Sequence, residues 1–289
     1  MKSSHEFVIR HVLVALDGSA HSMAALQVAT ELAAGARAEL AGLFVEDALL
    51  LRLAQSPLAR EVLYPSARHA PLDMADMEQR LRARAEQTRE ALSSSARRAQ
   101  VRWSFRVVRG EVTAEVLAAA SQADVLALGK AGWSLSLHWH LGSTALAASV
   151  GTPRAVLLVQ RAPLKRQVFV IDDGAPGSRQ RIVAGAQLAE AYGNKLLVLV
   201  SAGSERRFPA AVSEATALLP PAHEHLQVHF RHVSGTDAVS IAHAIGVEGG
   251  GILVLHEHMC PPELLQKLLR HLDSPILLLR QTDEAQVHH

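Results

Sequence analysis

VLVALDG at residues 12–18 returns as VFVIDDG at residues 168–174. The offset of 156 positions continues downstream without a gap: Ser22 falls on Ser178, Leu26 on Ile182, Leu32 on Leu188, Leu40 on Leu196 and Leu43 on Leu199. Each copy reads as a short apolar strand, an Asp-Gly turn, an Ala-rich helix and a second apolar strand. Strands covered on both faces become near-continuous apolar runs like these. The later parts of the halves match too: RVVRG (106–110) with RHVSG (231–235), VLAL (125–128) with ILVL (252–255), and GTPRAVLLV (151–159) with DSPILLL (273–279). Strands alternate with helices throughout. This predicts two tandem, doubly wound α/β domains, each with a parallel sheet flanked by helices. The boundaries are 1–162 and 163–289, at the polar and basic stretch Gln160–Gln167.

Length agrees, since 289 residues suit two domains of about 150 each. Apolar residues are 49% of the chain, enough for a sizeable core, while aromatics are only 4%, too few for a platform that stacks bases. A net charge of +1 gives no pull towards nucleic acid or acidic membranes. The single cysteine, Cys260, excludes an internal disulfide and suits a reducing compartment. No secretory h-region opens the chain, and no apolar run reaches the ~20 residues a bilayer needs. The expectation is a soluble cytoplasmic protein with neither nucleic acid nor membrane as partner. Between the paired strands, Asp73 to Ala99 carries Met74, Met77, Leu81, Ala85, Thr88 and Leu92 at helical spacing, which predicts an amphipathic helix covering the sheet.

The chemistry concentrates in GKAGWSLSLHWHLGST, residues 129–144. Gly129 follows an apolar strand, at the sheet end where open α/β folds bind ligands. Gly142-Ser143-Thr144 opens an Ala-rich segment, and a hydroxyl there suits a helix start. A helix start leaves N–H groups unpaired and carries partial positive charge, so it receives phosphate readily. Glycines let backbone approach an anion closely. The stretch is not a Walker A loop, because neither Ser nor Thr follows Lys130 and position 124 is not glycine. Nor is it G-x-G-x-x-G, because Gly129 and Gly132 stand three apart.

The spacing Gly129-x2-Gly132-x9-Gly142-Ser143, the opening VALDGS (14–19) and the closing GTPRAVLLV together resemble the universal stress protein (UspA-like) superfamily. The resemblance covers nearly all of both halves. It implies two Rossmann-like domains, similar to adenine nucleotide alpha hydrolases, each with a five-stranded parallel sheet. It also implies ATP, with Mg2+, along the carboxyl ends of the strands. By this resemblance Asp17 lies near ribose and adenine, Val45, just after the second strand, offers its backbone to adenine, and Gly129, Gly132, Gly142, Ser143 and Thr144 hold the phosphates. Members often carry Arg or Lys between the second and third glycines. This chain has His138 and His140 there, whose charge fades near neutral pH, and Lys130 is the expected substitute cation. Trp133 and Trp139 are expected to pack beneath the loop. Asp17 also suits a plain Asp-Gly turn, and Ser143 a plain helix cap.

The second half lacks this cradle. Aligning Leu128 with Leu255 sets Gly129 on His256 and Gly132 on Met259. Aligning Pro153 with Pro275 sets Gly142 on Leu264, Ser143 on Leu265 and Thr144 on Gln266, with the loop shortened by five residues. Asp173 remains in place of Asp17. His256, His258 and Cys260 could together ligate a soft or borderline metal, but no second ligand pair accompanies them.

The leading expectation is an ATP-binding stress-response or regulatory protein with one nucleotide site and a degenerate second domain. It has no assigned catalytic residue and is at most a slow ATPase. The alternatives are an interaction scaffold that binds no nucleotide and a metal-responsive sensor built on the His256 cluster. Dimerisation in this superfamily often uses the last strand, so VLLV (156–159) is expected to pair with ILLL (276–279) in an intramolecular pseudo-dimer. A further homodimer and an unknown protein partner stay open.

Overall fold

A computed structural model describes residues 8–56, 58–63, 68–130, 144, 155–174, 177–219, 225–257 and 260–280. The first half runs β1 (His11–Ala15), α1 (Ala20–Ala36), β2 (Glu39–Asp47), α2 (Ala48–Ala54), a hairpin of β3 (Arg60–Leu63) and β4 (Arg68–Pro71), α3 (Met74–Arg98), β5 (Trp103–Gly110), α4 (Val112–Ala120), β6 (Val125–Gly129) and β7 (Ala155–Val159). The second half runs β8 (Val168–Asp172), α5 (Ser178–Tyr192), β9 (Lys195–Val200), α6 (Phe208–Leu218), β10 (Gln227–His232), α7 (Ala238–Val247), β11 (Ile252–His256), α8 (Pro262–His271) and β12 (Ile276–Leu279). Caps fix the helix starts. Ser19 accepts from the N–H of Ser22 at the head of α1, Asp73 from that of Asp76 at α3, and Asp237 from those of Val239 and Ser240 at α7. The amphipathic helix expected over Asp73–Ala99 is α3, which buries Leu81, Ala85, Thr88 and Leu92.

Ten strands form one sheet in the order β5-β2-β1-β6-β7-β12-β11-β8-β9-β10. Pairing is parallel within each five-stranded half and antiparallel only where β7 meets β12. The repeat extends to register. Val12 pairs with Leu40 and Val125, and their counterparts Val168, Leu196 and Ile252 pair with one another in the same way. The last strand departs from the sequence alignment. Gly129 stands opposite Val159 and His256 opposite Leu279, so the connection in the second half is seven residues shorter, not five. The paired prolines misled the alignment by two positions, because Pro275 corresponds in register to Ala155.

The seam between halves is built from apolar strands and one tight helix contact. Leu157 stands opposite Leu277 and Leu158 opposite Ile276, all buried. On one face α1 packs against α5. Gly35 meets Ala191, its own counterpart under the 156-residue offset, so closely that a methyl group at 35 would land on the Ala191 carbonyl oxygen. Beside it Arg166 pairs with Glu31 at 3.1 Å and lies 5.8 Å from the Tyr192 ring centroid. Each buried Leu or Ile contributes about 1.5–3 kcal/mol relative to exposure, against roughly 0–1 kcal/mol for an exposed ion pair. The apolar strands therefore dominate the seam. Two cores, one on each side of the sheet, continue across both halves.

Candidate functional site

In the first half the chain winds one way from β1 to β2 and the other way to β6. The crevice between the carboxyl ends of β1 and β6 is therefore the switch point where such sheets receive ligands. Asp17 and Gly129 stand on its two sides.

Asp17, half-buried, follows β1 and shapes the turn into α1. Its Oδ1 accepts from the N–H of Ser19 at 2.9 Å, and its own N–H faces Ser22 Oγ at 3.4 Å. One carboxylate oxygen thus makes the Asx turn that Asp-Gly favours. Gly18 adopts φ +77° and carries across it the side chain of Arg84 from α3, whose Cγ would lie 3.1 Å from an added Cβ. This arginine brings a cation to the crevice rim. Sequence reasoning missed it, because one more charge on an Arg-rich amphipathic helix gives no signal of where it lands.

Val45 does not follow the second strand but lies within it, since β2 continues to Asp47. The extension suits the backbone role expected of it. Glu39 donates its N–H to Arg10 on the β1 side and Leu40 to Arg102 on the β5 side, so odd residues of β2 face β1. The ladder to β1 reaches Leu16, whose N–H donates to the Leu43 carbonyl at 2.8 Å. Two residues on, Val45 turns its N–H and C=O towards the side that β1 is leaving.

Gly129 is the last residue of β6 and pairs with Val159. A Cβ there would lie 2.8 Å from the carbonyl carbon of His21 and the nitrogen of Ser22. The first turn of α1 sits directly on this glycine, so packing alone already requires Gly at 129. Thr144 reaches the same end of the sheet, where its hydroxyl is 3.1 Å from that of Thr113 at the start of α4. Gly132, Gly142 and Ser143, with His138, His140, Trp133 and Trp139, lie outside the described residues.

Lys130 corrects the expectation of a phosphate cation. Its ammonium is buried at the seam, where it donates to Gln160 Oε1 of its own half at 2.6 Å and, across the seam, to the carbonyl of Leu269 in the last turn of α8. Burial pushes its pKa below the ordinary value, while the Asp273 carboxylate nearby works in the opposite direction. A cation at a helix carboxyl end meets unpaired carbonyls and favourable dipole charge. Nothing in the local sequence signals this, because the partner lies 139 residues away. At the β5 edge, Arg109 bonds Glu46 at 2.9 Å and Glu78 at 3.2 Å, tying β2, β5 and α3 together beside the crevice.

The matching crevice of the second half is filled. Arg181 stands where the first half has Ala25 and is 1% exposed. Its guanidinium donates to the Ile171 carbonyl at 3.0 Å, to Ser178 Oγ at 2.7 Å and to Asp173 Oδ1 at 2.5 Å. The Ile171 carbonyl lies at the open end of the β8–β11 ladder, so the guanidinium occupies the second switch point. Asp173, the counterpart of Asp17, is neutralised from within the fold. His256 is buried at the end of β11, and burial pushes the Cys260 thiol up to about 12. His258 lies outside the described residues, and among the described residues no group of three or more metal-ligating side chains occurs. Among them, too, no helix is long and apolar enough to cross a membrane.

Comparison with known proteins places this geometry. The family model described as the universal stress protein family matches residues 9–160. No curated protein matches the chain. Among solved structures, a universal stress protein from Archaeoglobus fulgidus DSM 4304 is similar over 93% of this chain and 98% of its own, at 14% identity and a TM-score of 0.63. A functionally unknown protein from Pseudomonas aeruginosa PAO1 aligns over 96% and 95%, at 15% identity and a TM-score of 0.54. A universal stress protein in complex with cAMP aligns over 53% of this chain and 98% of its own, at 23% identity and a TM-score of 0.38. The match of the family model spans more than half the chain, with the crevice inside it: the chain belongs to the universal stress protein family.

Proposed function

We propose that the chain is a nucleotide-binding regulatory protein of the stress response, holding one ATP with Mg2+ at the carboxyl ends of β1, β2 and β6. Asp17 faces the ribose and adenine side, the Val45 backbone the adenine, and Gly129, Gly132, Gly142, Ser143 and Thr144 the phosphates. The observation that carries the reading is the contrast between the two switch points. The first is walled by Asp17, Gly129 and a strand edge directed past β1, while Arg181 fills the second. On this reading residues 1–162 and 163–289 are tandem domains, and the antiparallel β7–β12 seam makes the chain an intramolecular pseudo-dimer. The compartment proposed is the cytoplasm. The chain's own residues supply binding and orientation, and no catalytic base is assigned, so any hydrolysis is slow.

Mass spectrometry of nucleotide released from freshly purified protein tests this, together with titration by ATP and Mg2+. One ATP per chain is expected. Two per chain would overturn the reading of the second half, and none at millimolar ATP would overturn the whole.

A second reading, an interaction scaffold without nucleotide, draws on two facts. Packing against α1 already accounts for Gly129, and α2 beside the crevice exposes Leu49, Leu50 and Leu53. Gly142→Val separates the two readings. Loss of ATP-induced thermal stabilisation in a folded variant supports the nucleotide, whereas a wild-type chain that ATP never stabilises supports the scaffold.

A further inference from the structure

The ammonium of Lys130 is one end of a network that joins the first crevice to the second half. Gln160, just past β7, receives Lys130 Nζ on its side-chain oxygen and donates its Nε2 to Asp273 Oδ1 at 3.0 Å. The Gln160 carbonyl accepts from His21 Nδ1 at 2.9 Å, which fixes that imidazole with its proton on Nδ1. His21 lies in the first turn of α1, the turn seated on Gly129. The next residue, Ser22, bonds Ser19 and faces the N–H of Asp17. The backbone N–H of Lys130 adds a bond to the Val159 carbonyl at 2.8 Å. Asp17, the α1 turn and Gly129 thus form one unit, and Gln160 and Lys130 moor it to α8 and Asp273.

We infer that Lys130 is a positioning residue for the nucleotide site, and that the second half, having lost its own cradle, serves as the mooring for the first. The inference rests on the nucleotide reading above. Positioning has to be separated from mere stability. A buried ammonium is costly, but removing one member of a buried polar cluster leaves its partners unpaired. Meanwhile the cost of leaving the Leu269 carbonyl and Gln160 without a donor falls on the mooring itself. Lys130→Met therefore loosens the mooring as well as lowering stability, and the comparison with a second seam contact separates the two.

The experiment compares Lys130→Met with Arg166→Ala, which breaks a different contact between the halves, on the α1–α5 side. ATP affinity is measured by calorimetry in Mg2+, and amide exchange of Ala20–Met23 is followed without nucleotide. K130M is expected to weaken ATP about tenfold through misplacement of the site and to speed exchange in the α1 turn. R166A is expected to do neither, even where it lowers the melting temperature more. If the wild-type chain binds ATP and K130M matches it in affinity or in exchange, the inference falls while the proposed function stands. The same holds if R166A weakens ATP equally. A wild-type chain that binds no ATP overturns the proposed function, and this inference with it.

Discussion

Arg181 shows how one side chain decides the fate of a crevice. The repeat sets it on Ala25, so an arginine replaces a methyl group in the apolar flank of the helix. Its burial is tolerable because Asp173, Ser178 and the Ile171 carbonyl all receive it. Arg181→Met keeps the volume and removes the donors that Asp173, Ser178 and the Ile171 carbonyl receive from the guanidinium. Unfolding in urea should show a loss of about 3 kcal/mol, and a loss under 1 kcal/mol would mean that water replaces the guanidinium easily. This residue was legible in the sequence, had the 156-residue offset been carried through position 25. Lys130 was not: a lysine beside a glycine loop reads as a ligand for phosphate, and only the seam reveals the α8 carbonyl it serves. Its depressed pKa carries a sign. Between the folded value and the ordinary 10.5, the unfolded chain binds more protons than the folded one. The penalty of burying the charge is full below that window and relieved as pH rises through it. The stability of the wild type relative to K130M should therefore improve as pH rises towards 10.5, as measured by urea unfolding. A flat difference would place the ammonium in solvent. Cys260, its thiol raised to about 12 by burial, should ignore a thiol-specific disulfide reagent at pH 8 until the chain is denatured. Rapid labelling of the native protein would contradict its burial.

At the scale of elements, the decisive contact is α1 on α5. Helices whose axes approach this closely leave no room for a side chain at the crossing, and the contact joins two copies of one position, Gly35 and Ala191. Gly35→Ala would usually help a helix by up to ~1 kcal/mol. Here the added methyl meets backbone that cannot rotate away, and overpacking of this kind costs about 1–3 kcal/mol or more. The variant should melt several degrees below wild type by circular dichroism, and a melting temperature at or above wild type would show that the helices slide apart freely. Such a contact cannot be read from periodicity, because α1 is Ala-rich all round and its glycine looks like one more small residue. The strands were legible for the opposite reason. Runs such as VLVAL and VFVI have no polar alternative, and the repeated spacing carried their register with them. The final strand was misplaced because a proline marks a strand's approach, not its register; pairing of β7 with β12 fixes that instead. The segment carrying Gly132, Gly142 and Ser143 keeps its sequence-based role as a proposal, supported at its two ends by Gly129 and Thr144.

At the scale of the whole molecule, the question is whether the halves behave as two domains or one. A two-domain chain with a slight interface unfolds in two steps. Here the sheet runs unbroken through ten strands, and each of the two cores draws residues from both halves. Opening the seam would bare Leu157, Leu158, Ile276 and Leu277 at about 1.5–3 kcal/mol each. Together that is about 6–12 kcal/mol, comparable with a typical total stability of 5–15 kcal/mol, so neither half can release the other without losing much of its own support. All three tryptophans, Trp103, Trp133 and Trp139, stand in the first half. Their fluorescence therefore follows that half alone, while far-ultraviolet circular dichroism follows both. The expected outcome is one urea transition with coincident midpoints by the two probes. A saturating nucleotide should move both midpoints together, since ligand bound to the folded state stabilises everything that unfolds with its site. A dichroism curve that continues after fluorescence is complete would mean that the second half stands alone, and that the seam is an interface between domains instead of the centre of one fold.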